Sequence, residues 1–110
     1  MDITQEKIKD MEVLTPQGFI DASNSPILEE KIVKMINDEG KDKIILDLKN
    51  VSYMSSSGLR VFLSASKNMQ AKDGIFRVCN ANDVVSEILT VSGFDMIVDI
   101  RKTIEEALEG

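Results

Sequence analysis

The chain has 110 residues, 43% hydrophobic and 29% charged, a balance that suits one globular domain over 1–110 and excludes a disordered tract. Its net charge is −6, with Lys and Arg scattered among acids, which excludes the basic cluster that a nucleic-acid partner requires. With no histidine and one cysteine, Cys79, the chain has no means to build a Ser-His-Asp or Cys-His nucleophile, a structural zinc site or an internal disulfide.

Taken in chain order, the first stretch reads as a β-hairpin: Ile3 to Ile8, a Lys9-Asp10 turn, then Met11 to Thr15. Pro16 belongs at a strand end or edge, because it has no N–H to give to a ladder. Ser25 and Pro26 read as the N-cap and first residue of a helix whose Leu28, Ile32, Met35 and Ile36 share one apolar face, and Gly40 ends it. The run Ile44-Ile45-Leu46-Asp47-Leu48 suits a strand covered on both faces. A short loop then crosses the sheet edge, and Ser55 to Ser57 open a second helix with Leu59, Phe62, Leu63, Ser66 and Met69 on one face. Asp73-Gly74 turns the chain into the buried strand Ile75 to Cys79, where Cys79 reads as a small hydrophobe rather than a reactive thiol. A third helix starts near Asn82, faces inward through Val85, Ile88 and Leu89, and stops at Gly93. Met96-Ile97-Val98 reads as a last strand, and Thr103-Ile104-Glu105-Glu106 as the capping box of a last helix. The sum is an α/β fold. It predicts a mixed, largely parallel sheet of about five strands, begun by a hairpin, with about four helices packed on it.

No apolar run approaches the roughly 20 residues of a bilayer span, so no membrane partner is expected. The start, Met1 to Lys7, is too polar for the hydrophobic region of a secretory signal, and the expected location is cytoplasmic. The composition leans against an enzyme, and no cofactor or metal is expected. There is no Gly-rich phosphate loop with its Lys; Gly58 stands alone.

The most informative stretch runs from Asp47 to Arg60: a buried strand, a short loop, then three serines before a helix. A helix start has unpaired N–H groups and a partial positive charge, so a hydroxyl there caps it, and the same groups hold a phosphate. Gly58 near the start removes a side chain and lets another surface approach closely. From spacing alone, plain capping is the better account of the serines.

This segment resembles the signature of the STAS family, the domain of anti-sigma factor antagonists and of sulfate-transporter tails. Asp47, Leu48, Val51, Tyr53, Met54, Ser56, Ser57, Gly58, Leu59 and Arg60 fit its pattern. Gly18-Phe19-Ile20-Asp21, after the second strand, is similar to the family's Gly-x-Leu-Asp, and Leu89 to Phe94 is similar to its Leu-x-x-Ser/Thr-Gly-Leu/Phe. The resemblance covers the whole chain and implies a single STAS-like domain.

In the antagonist branch, the serine directly after the motif Asp receives phosphate from a partner kinase. That position is Ser56, with Ser57 the runner-up. Ser55 stands where the family has Asp, a departure that removes a negative charge beside the acceptor and bears on which serine is used. The resemblance implies an anti-sigma factor serine kinase as partner, bound when the chain is unmodified and released on phosphorylation, and a serine phosphatase that reverses the step. The partner surface it implies comprises Asp21, Asn24, Ser55, Ser56, Ser57, Gly58 and Arg60. Asp21, taken to end the second strand, either contacts the kinase or serves as a turn residue. Arg60, with Ser64 and Lys67 on the outward face of the second helix, either contacts the partner or a phosphate, or is a solvated charge. A monomer is expected. The alternative is a scaffold module of the same fold that is not phosphorylated.

Overall fold

In the computed structural model, which describes residues 1–109, the hairpin pairs β1 (Ile3–Ile8) antiparallel with β2 (Met11–Pro16). Lys9 makes the reversal at φ 58, and Pro16 sits at the end of β2 opposite Ile3. β2 then pairs in parallel with β4 (Lys43–Asp47), β4 with β6 (Ile75–Cys79), and β6 with the two-residue β7 (Asp99–Ile100). The main sheet therefore has five strands in the order β1-β2-β4-β6-β7. Mixed and largely parallel, it is the sheet predicted.

Alternation along these strands divides the core in two, because successive side chains point to opposite faces. Leu14, Ile44, Leu46, Phe76 and Val78 face α1 (Ser25–Asn37) and α2 (Ser56–Ala71). Met11, Val13, Ile45 and Cys79 face the other way, under Ala107 of α4 (Ile104–Leu108). Thr103 caps α4 by accepting the Glu106 N–H at 3.1 Å. Burial pushes the Cys79 thiol up to about 12, as befits a small hydrophobe held in the core. No helix among the described residues is long and apolar enough to cross a membrane.

Four local expectations are corrected. The loop before Ser55 contains a strand, β5 (Val51–Met54), which pairs in parallel with β3 (Gly18–Ile20) as a separate two-stranded sheet. Asp21 therefore follows a third strand rather than ending the second. The first helix begins one residue earlier than its cap pattern suggests: Asn24 is the N-cap, and Ser25 is already helical and buried. The carbonyl of Asp21 receives the Ser25 N–H at 2.8 Å, so the chain has turned before it reaches Ser25. The last strand lies at Asp99–Ile100, not 96–98. Gly93, at φ 75, ends α3 (Asp83–Val91) in the left-handed region, and Phe94–Met96 forms a 3-10 turn before the chain reaches the edge of β6.

Candidate functional site

The two-stranded sheet explains how residues far apart in sequence come together. Ile20 of β3 is the register partner of Met54 of β5, and both strands run the same way. Asp21 and Ser55 therefore leave the sheet side by side at its C-terminal end. The Ser55 N–H donates to the Ile20 carbonyl at 2.8 Å, which fixes the junction.

Ser55 is the N-cap of α2, with extended backbone, and its Oγ accepts the Ser57 N–H at 3.2 Å. Its carbonyl receives the N–H groups of Gly58 at 3.0 Å and Leu59 at 3.3 Å. Serine in the family's Asp position thus still performs the capping task, without the charge. Ser56 is the first helical residue and is exposed. Ser57 is half-buried and lines a shallow cleft between the starts of α1 and α2, with Ser25, Pro26, Glu29 and Arg60. Of the three hydroxyls, one is committed to the cap, one is turned into the cleft, and Ser56 faces outward.

Gly58 is buried. A Cβ there would lie 2.6 Å from Met54 Cγ and 2.9 Å from Ile20 Cγ2. The surface that presses on Gly58 is this chain's own β3–β5 sheet, and the missing side chain lets the first turn of α2 settle on it. Arg60, one turn beyond Ser56, is exposed.

Asp21 and Asn24 form a locked turn. Asp21 Oδ1 accepts from Ser23 N at 2.9 Å and Ser23 Oγ at 2.5 Å. The Ser23 hydroxyl outweighs the opposing effect of desolvation, and the carboxyl sits below the usual aspartate range. Asn24 accepts the Asp21 N–H at 2.9 Å and donates Nδ2 to the Phe19 carbonyl at 2.8 Å. Asp47 is 4% exposed, and its Oδ1 accepts from Lys49 N and Asn80 Nδ2, which ties the end of β4 to the turn after β6.

Sequence reasoning missed an apolar surface beside this turn. Phe19 and Tyr53, register partners on β3 and β5, are both half exposed. Next to them, α3 exposes Val84 and Val91, with Ile88 between them half-buried: it packs against the core, as expected, and also reaches this surface. The i, i+4, i+7 spacing was available as a signal, but Val85, Ile88 and Leu89 had already been assigned to the helix's core face.

The STAS domain family matches residues 2–107. The chain is similar to the anti-sigma-B factor antagonist of Bacillus subtilis, at 33% identity over 92 residues, 84% of this chain and 83% of that protein. It is similar to a crystal structure from Thermotoga maritima with a TM-score of 0.90 and 25% identity, covering 96% of this chain and 91% of that one. The fold is also that of the Bacillus protein SpoIIAA. Its unphosphorylated structure covers 97% of this chain and 94% of its own, at 21% identity and a TM-score of 0.76. Its phosphorylated structure covers 96% of both chains, at 20% identity and a TM-score of 0.73.

Proposed function

The chain belongs to the STAS domain family, and on that premise we propose that it is an anti-sigma factor antagonist switched by phosphorylation of Ser56. Unmodified, it binds an anti-sigma factor serine kinase and so frees the sigma factor for transcription. The kinase then phosphorylates it and lets go, and a serine phosphatase restores the binding form. The name of the Bacillus subtilis relative supports the antagonist role. The observation that carries the switch is the position of Ser56: exposed, first in α2, between a capping serine and a cleft-facing one.

In the transfer, the Ser56 oxygen attacks the γ-phosphorus of ATP, ADP departs, and the hydroxyl proton passes to a base on the kinase. ATP, magnesium and that base all belong to the partner. This chain is the substrate, not the enzyme. It supplies an acceptor whose backbone is held by the Ser55 cap and by the seat of Gly58 on Met54 and Ile20. Asp21, Asn24, Ser57 and Arg60 frame the contact, and Gly58 sets its height. The active form is a single-domain, cytoplasmic monomer.

A phosphoserine adds about −1.5 to −2 charges. Within the chain, the partial positive charge at the start of α2 tolerates them. Against a partner surface fitted to a neutral hydroxyl, they bring bulk, desolvation cost and repulsion from any facing acid. A loss of about 3 kcal/mol weakens binding roughly a hundredfold, enough for a switch without a change of fold.

The test is incubation with the anti-sigma factor kinase of the source genome and ATP, followed by mass-spectrometric site mapping. One phosphate on Ser56 is expected, and none in Ser56→Ala, which still binds the kinase. A chain that binds the kinase but takes no phosphate would instead be a scaffold.

A further inference from the structure

The apolar surface beside the acceptor turn is continuous, and nothing among the described residues covers it. Phe19 and Tyr53 stand side by side on the β3–β5 sheet, 52% and 50% exposed. α3 is fastened alongside, with Asn82 Nδ2 donating to the carbonyls of Val51 and Ser52 on β5. Val84, 52% exposed, and Val91, 79% exposed, combine with Ile88 and Tyr53 into a groove of about 460 Å³. Scattered exposed apolar residues need no explanation, but a contiguous patch of this kind marks an interaction surface.

Two features identify the occupant. The first is continuity with the acceptor turn. Tyr53 lies two residues before Ser55, roughly 7 Å along an extended strand, so a protein that covers Ser56 also meets the groove. The second is charge. Asp83 and Glu87 are the charged residues of α3, which has no Lys or Arg along Asp83–Val91, and Glu87 is on the rim of the groove. An apolar floor with an acidic rim fits an amphipathic helix that presents aliphatic anchors flanked by Lys or Arg.

We propose that this groove receives such a helix from the kinase partner, giving the complex a second contact that does not include the phosphorylated residue. The inference rests on the switch proposed above and adds a division of labour to it. The acceptor turn senses the phosphate, whereas the groove contact is the same in both states and too weak alone to keep the kinase bound. The groove therefore governs how tightly the kinase engages its substrate, and Ser56 governs whether the full contact forms.

Val91→Lys tests this, because the side chain is mostly exposed and the substitution both removes an apolar anchor and sets a positive charge against the acidic rim. The expected result is about a tenfold or greater loss of affinity for the kinase, measured by calorimetry, and a matching rise in KM for phosphorylation with kcat unchanged. Met96→Lys, at an 89% exposed position outside the groove, is expected to bind like the unaltered chain. Circular dichroism checks that both variants are folded, and Glu87→Lys decides the matter should Val91→Lys not fold. If the unaltered chain binds and is phosphorylated on Ser56 while folded groove variants match it, the groove proposal is overturned and the switch stands. Should the unaltered chain fail to bind the kinase, both fall. A dimer in sedimentation that Val91→Lys dissolves would assign the groove to a second copy and also overturn the proposal.

Discussion

Arg77 on β6 and Arg60 on α2 are both guanidinium groups on regular elements, yet the fold treats them in opposite ways. Arg77 is 6% exposed on the α4 side of the sheet, where its Nη1 donates to the carbonyls of Ala107 at 2.8 Å and Glu109 at 2.6 Å. Its Nε reaches Asp99 on β7 at 3.2 Å, and Asp99 also accepts from Arg101. One cation thereby fastens the last helix to the sheet. Arg60 stands in the open, at the mouth of the cleft that Ser57 lines. Polar groups at the α4 end hold the chain together, while at the start of α2 only Ser56 and Arg60 are exposed, beside Ser55 and Ser57, which are half-buried.

The sharpest way to break this contrast is to remove both cations. Arg77→Met leaves the buried Ala107 carbonyl without the Arg77 donor and is expected to cost about 2–4 kcal/mol in urea unfolding. Arg60→Met is expected to stay within about 0.5 kcal/mol of the unaltered chain. Comparable losses in the two variants would erase the distinction. Gly58→Val sharpens it from the other side, since branched carbons would drive into Met54 and Ile20. About 1–3 kcal/mol should be lost, along with a displaced start of α2, visible as amide shifts in NMR spectra at 55–59.

Within the serine run the expected effects are smaller and divide by role. Ser55→Ala removes the cap and is expected to cost about 1 kcal/mol, whereas Ser56→Ala changes stability by less than about 0.5 kcal/mol. Thermal melts of the two variants check that order.

The smallest effect concerns pH. The hydrogen bond from Arg101 is the largest influence on the Asp99 carboxyl and holds it below its ordinary value of 3.8; burial opposes it, while the charge of Arg101 and the Arg77 contact add to it. A carboxyl that is more acidic in the folded state contributes stability above the unfolded value, and loses it as pH falls through the folded one. Asp99→Asn should therefore be less stable than the unaltered chain at neutral pH, and the gap should close below pH 3.8, as followed by urea unfolding at a series of pH values.

Much of the closed part of the fold could be read from local pattern. The Lys9-Asp10 turn, the buried run through Ile44 and Leu46, and the Thr103 cap each carry their signal within a few residues. The β3–β5 sheet could not be read this way. Its strands have three and four residues, and their pairing is parallel between segments more than thirty positions apart. Seeing how Asp21 reaches Ser55 depended on that pairing. Ser25 looked like a cap because Ser-Pro is a good helix start, but the Asp21 carbonyl took its N–H first. The resemblance singled out Ser56 by position. What position alone could not supply was the different environments of three adjacent hydroxyls, which arise from the cap at Ser55 and the packing of α1 against α2.

The most direct test of the switch is a titration of the kinase with unmodified chain and with chain phosphorylated on Ser56 alone, under identical conditions. The expected result is a dissociation constant at least about a hundredfold higher for the phosphorylated form, with both forms giving the same circular dichroism spectrum. Equal affinities for the two forms would contradict it.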